Sequence, residues 1–248
     1  MIPEAFWMMR YAAGTTIRSV RSWPKNLSAW WRFWKRYASY TRMAAPDAQA
    51  SVRCLSPILG EDRGHTGVEP IYFYQDAWAF ERIVADRPDY HVDIGSHHKF
   101  VALLSKVVTL SMVDIRPLSC LLASLNFCAA SILRLPFRDS SLSSVSCMCV
   151  VEHIGLGRYG DPVDPNGASK AVEELKRIVK PLGNLYVSLP LNDHDIVYYD
   201  AHRAYKESTV MAMFFPFEVV EKRYIFGNRF GTELESGFGT GCYHLRRT

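Results

Sequence analysis

The stretch VDIGSHHKF, residues 92–100, decides how the rest of the chain is read. An apolar run reaches Asp93, and Gly95 follows where the backbone must turn tightly and approach a ligand. Turns of this kind end the first strand of doubly wound α/β folds and bind nucleosides or dinucleotides. A single D-x-G occurs in many unrelated chains, so its meaning rests on what surrounds it.

Upstream, QDAWAFERIVADR (75–87) sets Trp78, Phe80, Ile83 and Val84 near one helical face and stops before Pro88. A helix therefore precedes the strand at 90–95, and FVALLSK (100–106) opens the helix after it. Further on, the pattern predicts a strand over 107–115 ending at Asp114, a helix over 117–127 with Pro117 at its start, a short strand over 129–133 and a strong strand over 145–151. GLGRYGDPVDPNG (155–167) is too rich in glycine and proline for a regular element and is a candidate lid. Residues 168–180 form an amphipathic helix, 185–191 a buried strand, 207–215 a helix, and 218–226 and 242–246 two late strands. Alternating strands and helices imply a mainly parallel sheet covered on both faces, finished by an antiparallel strand.

A chain of 248 residues with 48% hydrophobic content suffices for one sizeable core plus an appendage. The formal charge of +4 hides an asymmetry. Residues 1–45 carry Arg10, Arg18, Arg21, Lys25, Arg32, Lys35, Arg36 and Arg42 against Glu4 alone, hence +7, leaving −3 for the remainder. Basic character belongs to this arm, so nucleic acid is not an expected partner. The six cysteines lack C-x-x-C spacing and point to a reducing, cytoplasmic compartment. No run of about 18 apolar residues reads as a membrane span.

Within the arm, LSAWWRFWKRYASY (27–40) places Leu27, Trp30, Trp31, Trp34 and Tyr37 at helical spacing, with Arg32, Lys35, Arg36 and Ser39 largely opposite. Two readings stand. Such a helix lies on an anionic membrane surface, here the inner face of a membrane, or it packs its tryptophans onto protein. Residues 46–71 read as linker or cover, and 72–248 as the α/β domain.

The order of pieces over roughly 72–247 resembles the class I S-adenosylmethionine-dependent methyltransferases. The resemblance is carried by VDIGS (92–96), VDIR (113–116), LPFRDSSLSSVSCMCVVEHI (135–154) and ELKRIVKPLGNLYVSLPL (174–191). More closely, VVEHIGLGRYGDP, a D-A-H-R-x-Y segment and G-F-G-T-G-C-Y-H are similar to a methyltransferase-like branch of unknown function. The resemblance implies a Rossmann-like, seven-stranded sheet with an antiparallel final strand, and S-adenosylmethionine as cofactor. It implies that Gly95 and Ser96 approach the methionyl and ribose portions, while Asp93 orients the loop or the cofactor's ammonium. Asp114, nineteen residues beyond Gly95, would accept both ribose hydroxyls, with Ile115, Leu133, Leu135 and Val151 bordering the nucleoside. His97 and Lys99 stand where the family has glycines, and Ser131 stands where it has an acidic adenine contact. These departures keep open a cofactor-free scaffold built on the same fold.

Methyl transfer needs alignment and, for hydroxyl acceptors, one base. His153, His194 and Asp193 are the candidate catalytic residues, and Glu152, Tyr159, His202 and Arg203 the candidate acceptor contacts, because they follow strands at the sheet edge where ligands sit. Structural roles compete: His153 turning the chain, Asp193 and Asp195 capping, Arg203 pairing with Asp200. The expected reaction is O-methylation of a small, saccharide or lipid-linked acceptor. There is no H-E-x-x-H or close Cys/His cluster, so no metal is expected.

Overall fold

The computed structural model describes residues 23–59, 61 and 64–248; the first 22 residues of the predicted basic arm lie outside the described residues. The chain divides into two units, Met1–Gly67 and Val68–Thr248.

In the first unit, helix α1 spans Trp23–Met43. Trp30, Phe33, Trp34 and Tyr37 meet edge to face along it at 5.2–5.8 Å between ring centroids. The Tyr37 and Tyr40 hydroxyls donate to the Ala50 and Ala48 carbonyls, folding the next segment back on the helix. Leu27, Trp31 and Tyr40 remain more than half or half exposed. No described helix is long and apolar enough to cross a membrane.

The second unit is built on one eight-stranded sheet. Helix α2 (Pro70–Asp86) leads into β1 (His91–Ile94), then α3 (His98–Leu104), β2 (Leu110–Asp114), β3 (Leu125–Ala129) and β4 (Leu142–Met148). Helix α4 (Gly167–Ile178) feeds β5 (Val179–Leu191), followed by the small hairpin β6–β7 (Ile196–Tyr198, His202–Ala204), α5 (Glu207–Phe214), β8 (Glu218–Phe226), β9 (Arg229–Gly231) and β10 (Gly239–Arg246). The strand order is β3-β2-β1-β4-β5-β10-β8-β9, with β10 antiparallel to both neighbours. The expected seven strands are present, and β9 adds a three-residue eighth as a hairpin on β8.

Period-two alternation assigns the two faces. Leu110 and Met112 of β2 join Trp78, Ile83, Phe100, Val101 and Leu104 under α2 and α3, whereas Val113 joins Ala171, Leu175, Val210 and Phe214 under α4 and α5. Cys242 and Tyr243 divide β10 in the same way. With both faces covered, the parallel strands are buried along much of their length, and apolar runs in or overlapping them make β1, β2, β4 and β5 visible in the sequence, β4 beginning three residues before its expected span of 145–151.

Three expectations are corrected. Residues 117–124 form bends and a turn, not a helix: PLSCLLAS leaves Leu121 wholly exposed and only partly buries Leu118 and Leu122. The third strand lies at Leu125–Ala129, four residues before its expected start, because β2 draws it into register from Leu110↔Leu125 to Asp114↔Ala129. The hairpin β6–β7, too short for any periodicity, was not foreseen.

Candidate functional site

Strands β2 and β4 flank β1, and the chain leaves β1 toward β2 but returns to the other side as β4. Their carboxyl ends thus border a crevice at the point where strand order reverses. A cleft of ≈ 830 Å³ lies there, lined among others by Gly95, Ser96, Asp114, Ile115, Ala130 and Ile132. Its size is that of small-molecule and cofactor sites.

The loop after β1 is stitched from beneath. Asp93 is fully buried; its Oδ1 accepts the Ser96 N–H at 3.0 Å and its Oδ2 accepts the Ser146 hydroxyl at 2.6 Å. Since Ser146 donates to Asp93, its oxygen is left to accept from His91 Nε2 at 2.9 Å, and His91 Nδ1 then accepts from the Ser144 hydroxyl at 2.7 Å. His91 is therefore the neutral Nε2–H tautomer, in keeping with burial that pushes its pKa down to about 3. Burial likewise raises Asp93 to about 6, against the serine hydrogen bonds that favour its charge. Ser96 Oγ accepts the Met148 N–H at 3.0 Å, tying the loop to β4. Asp93 thus orients the loop; it does not face the cleft as a ligand group.

Above this base, Gly95 has φ +66°, a left-handed conformation that glycine adopts without penalty. A Cβ there would meet Val150 Cγ1 at 3.3 Å and Asp114 Oδ2 at 3.9 Å. The Asp114 carboxylate accordingly lies beside the loop on the cleft wall, with its Oδ1 held by the Arg116 N–H at 2.8 Å.

His97 lines the cleft and carries its ring away from the loop: Nδ1 lies 3.3 Å from Asp76 Oδ2, and the ring stacks on Tyr72 at 4.8 Å. Lys99 is exposed and off the lining. On the opposite wall stand His153, Tyr159 and Asp161. His153 Nδ1–H donates to the Ala201 carbonyl at 2.7 Å, which turns Nε2 toward Glu152 Oε1 at 3.8 Å. Glu152 is buried and its Oε2 has no partner among the described residues; burial raises its carboxyl to about 8. Arg116 caps the Tyr159 ring at 4.2 Å, bridging the end of β2 to the glycine-rich loop.

Of the sequence candidates, Gly95, Ser96, Asp114, Ile115, His153 and Tyr159 meet in this cleft, with Asp93 and Glu152 buried behind it. The others are placed elsewhere. Leu133, Leu135 and Val151 do not line it, and Leu135 and Val151 face the core. Ala130 and Ile132 take the places of the first two, because the early strand β3 shifts the residues after it, and Val150, just past the end of β4, takes that of Val151. Asp193 accepts from the Gly237 N–H and the Ser236 hydroxyl, and His194 is exposed outside the cleft. Arg203 is buried, with its guanidinium spent on the carbonyls of Ile154 at 2.7 Å, Glu152 at 3.4 Å and Pro165 at 3.5 Å, so it pins the 152–165 loop and has no fork left for an acceptor. His202 sits behind His153 at 6.4 Å, in an aromatic group with Tyr198 at 5.1 Å and Phe238 at 5.6 Å. Sequence reasoning missed Tyr72, Asp76, Arg116, His91 and Ser146. The one visible signal was the polar pair Gln75-Asp76 within the aromatic-rich first half of the helix.

The second unit's fold is that of the class I S-adenosylmethionine-dependent methyltransferases. Among similar solved structures are the small RNA methyltransferase HEN1 (17% identity, TM-score 0.56, 76% of this chain but 27% of that one) and the N-methyltransferase NodS of Bradyrhizobium japonicum WM9 with S-adenosyl-L-homocysteine (15%, 0.51, 85% and 97%). The [4+2]-cyclase SpnF is similar too (11%, 0.51, 69% and 81%). Residues 137–236 match a family model described as Caenorhabditis protein of unknown function, DUF268. No curated protein sequence matches the chain.

Proposed function

We propose that this chain is an S-adenosylmethionine-dependent methyltransferase that methylates an oxygen of a small, saccharide or lipid-linked acceptor. The observation that carries the cofactor assignment is the Asp114 carboxylate beside Gly95 on the wall of a cleft at the sheet's switch point. The residues present fit the cofactor. Gly95 leaves the space that any Cβ would fill, Asp114 would accept the ribose hydroxyls, and Ile115, Ala130 and Ile132 offer apolar surface to the adenine. When bound, S-adenosylmethionine supplies a methyl group on a positively charged sulfur that leaves as a neutral thioether. His97 filling the cleft would favour a cofactor-free scaffold, whereas its ring turns to Asp76.

The chain's own residues position the acceptor and handle its proton. Tyr72, His97, His153 and Tyr159 line the acceptor side, and the rings of Tyr198, His202 and Phe238 continue it past His153. Aromatic faces with polar tips suit the apolar faces and hydroxyl rims of sugars, which supports the saccharide reading. Exposed Leu27, Trp31 and Tyr40 beside Arg32, Lys35 and Arg36 on α1 support a peripheral contact with anionic lipid, at the cytoplasmic face of a membrane.

Isothermal titration of the full chain with S-adenosylhomocysteine tests the enzyme reading, which requires saturable heat; silence at millimolar ligand overturns it. Co-sedimentation with vesicles containing phosphatidylserine tests the arm. Trp31→Ala together with Trp34→Ala is expected to leave the protein in the supernatant, and unchanged pelleting refutes the membrane contact.

A further inference from the structure

We propose that His97, oriented by Asp76, is the group that takes the acceptor's proton in this cleft. The inference rests on the methyltransferase reading above and assigns the base within it.

Three histidines line the cleft, His97, His98 and His153. His98 is exposed and has no hydrogen bond orienting its ring among the described contacts, and the surroundings of the other two separate them. His153 has Nδ1–H committed to the Ala201 carbonyl and Nε2 turned to the buried Glu152. Both nitrogens face protein, which makes its ring a brace for the loop after β4. His97 is arranged the other way. Its Nδ1 lies 3.3 Å from Asp76 Oδ2, and a carboxylate can only accept, so the proton sits on Nδ1 and the lone pair on Nε2. Nε2 has no polar partner among the described contacts, and the ring lines the cleft. Tyr72 at 4.8 Å and His98 at 4.5 Å hold the ring from its sides.

Asp76 is itself fixed, since Gln75 Nε2 donates to its Oδ1 at 3.2 Å, and Gln75 is anchored by the Ser188 hydroxyl donating to Oε1 at 2.7 Å. The charged neighbours of His97 are Asp76, Lys99 and Glu69; burial and then Lys99, against Glu69, hold its pKa below the ordinary histidine value, so the ring is neutral near pH 7. In the proposed step the acceptor's O–H bond breaks and its proton bonds to Nε2. The imidazolium then returns that proton to water. Asp76 acts through His97 and is a positioning residue.

The test is NMR of the uniformly 15N-labelled full chain, with His97 assigned by its loss in His97→Gln. The pH titration of each histidine is followed with S-adenosylhomocysteine and with S-adenosylmethionine, which differ by the sulfonium charge and the methyl group. If His97 faces the reacting centre, its proton affinity drops roughly tenfold between the two complexes, the size expected for a unit charge about 10 Å away in a partly buried site. Asp76→Asn is expected to shift the His97 tautomer signature while S-adenosylhomocysteine still binds. Equal titration of His97 in both complexes, or a larger response at His153, overturns the assignment while leaving the methyltransferase reading intact. Absence of any S-adenosylhomocysteine heat overturns both.

Discussion

Asp193 holds Gly237 across forty-three intervening residues: its Oδ1 accepts the Gly237 N–H at 3.0 Å, and its Oδ2 accepts the neighbouring Ser236 hydroxyl at 2.9 Å. Those bonds keep its carboxyl below the usual range. An acid just past the fifth parallel strand looks catalytic in sequence, yet this one fastens the turn that carries Phe238 beside Tyr198 and His202. Asp193→Ala should therefore speed hydrogen exchange at Gly237 and leave S-adenosylhomocysteine binding unchanged. A loss of cofactor affinity would place Asp193 back in the cleft.

Asp114 is the opposite case. Its Oδ1 is fixed by the Arg116 N–H, and its Oδ2 looks onto Gly95. No core side chain leans on it and only the Arg116 turn is lost, so Asp114→Ala should still fold, with a melting temperature lowered by a few degrees. A hydrogen bond to a charged group contributes about 1.5–3 kcal/mol, so S-adenosylhomocysteine affinity should fall at least roughly tenfold by titration calorimetry. An unchanged affinity would show that the ribose sits elsewhere.

The contrast between these two acids marks how far sequence reaches here. Buried parallel strands announce themselves as apolar runs, so β1, β2, β4 and β5, and with them Asp93, Gly95 and Asp114, are found by local pattern. β3 is an edge strand with a mixed burial pattern, and the turns before it mimic a helix, so the residues beyond were misplaced by a few positions. Tyr72 and Asp76 come some twenty residues before the loop they meet, and only the docking of α2 on the sheet brings them to His97. Which histidine has a free nitrogen is a matter of carbonyl and carboxylate partners, a long-range fact with no local signature.

The base of the glycine-rich loop is rigid, and its tip is not confined. Gly155 has φ +84°, and a Cβ there would collide with the Asp164 carbonyl oxygen and lie 3.1 Å from Gly167 Cα. Gly160, at φ +87°, has nothing within 4 Å. Gly155→Ala combines left-handed strain with a backbone clash and should cost roughly 3 kcal/mol or more, whereas Gly160→Ala should cost only about 1–2 kcal/mol. Urea midpoints of the two variants check this, and equal losses would mean that the loop base yields as readily as its tip.

Glu152 makes the stability of the fold depend on pH. It is buried, its Oε2 has no partner among the described residues, and burial raises its carboxyl from 4.5 to about 8. A folded-state pKa above the unfolded one means that the folded protein binds more protons between those values. Stability from this group therefore falls as pH rises from about 4.5 to 8 and levels off above. Glu152→Gln removes the charge and keeps the shape, and its amide can donate to the His153 nitrogen that now faces the acid at 3.8 Å. The variant should match wild type near pH 4.5 and exceed it at pH 9 by on the order of 5 kcal/mol in urea unfolding. A difference that stays constant across pH would show that folding does not raise the Glu152 carboxyl above its unfolded value.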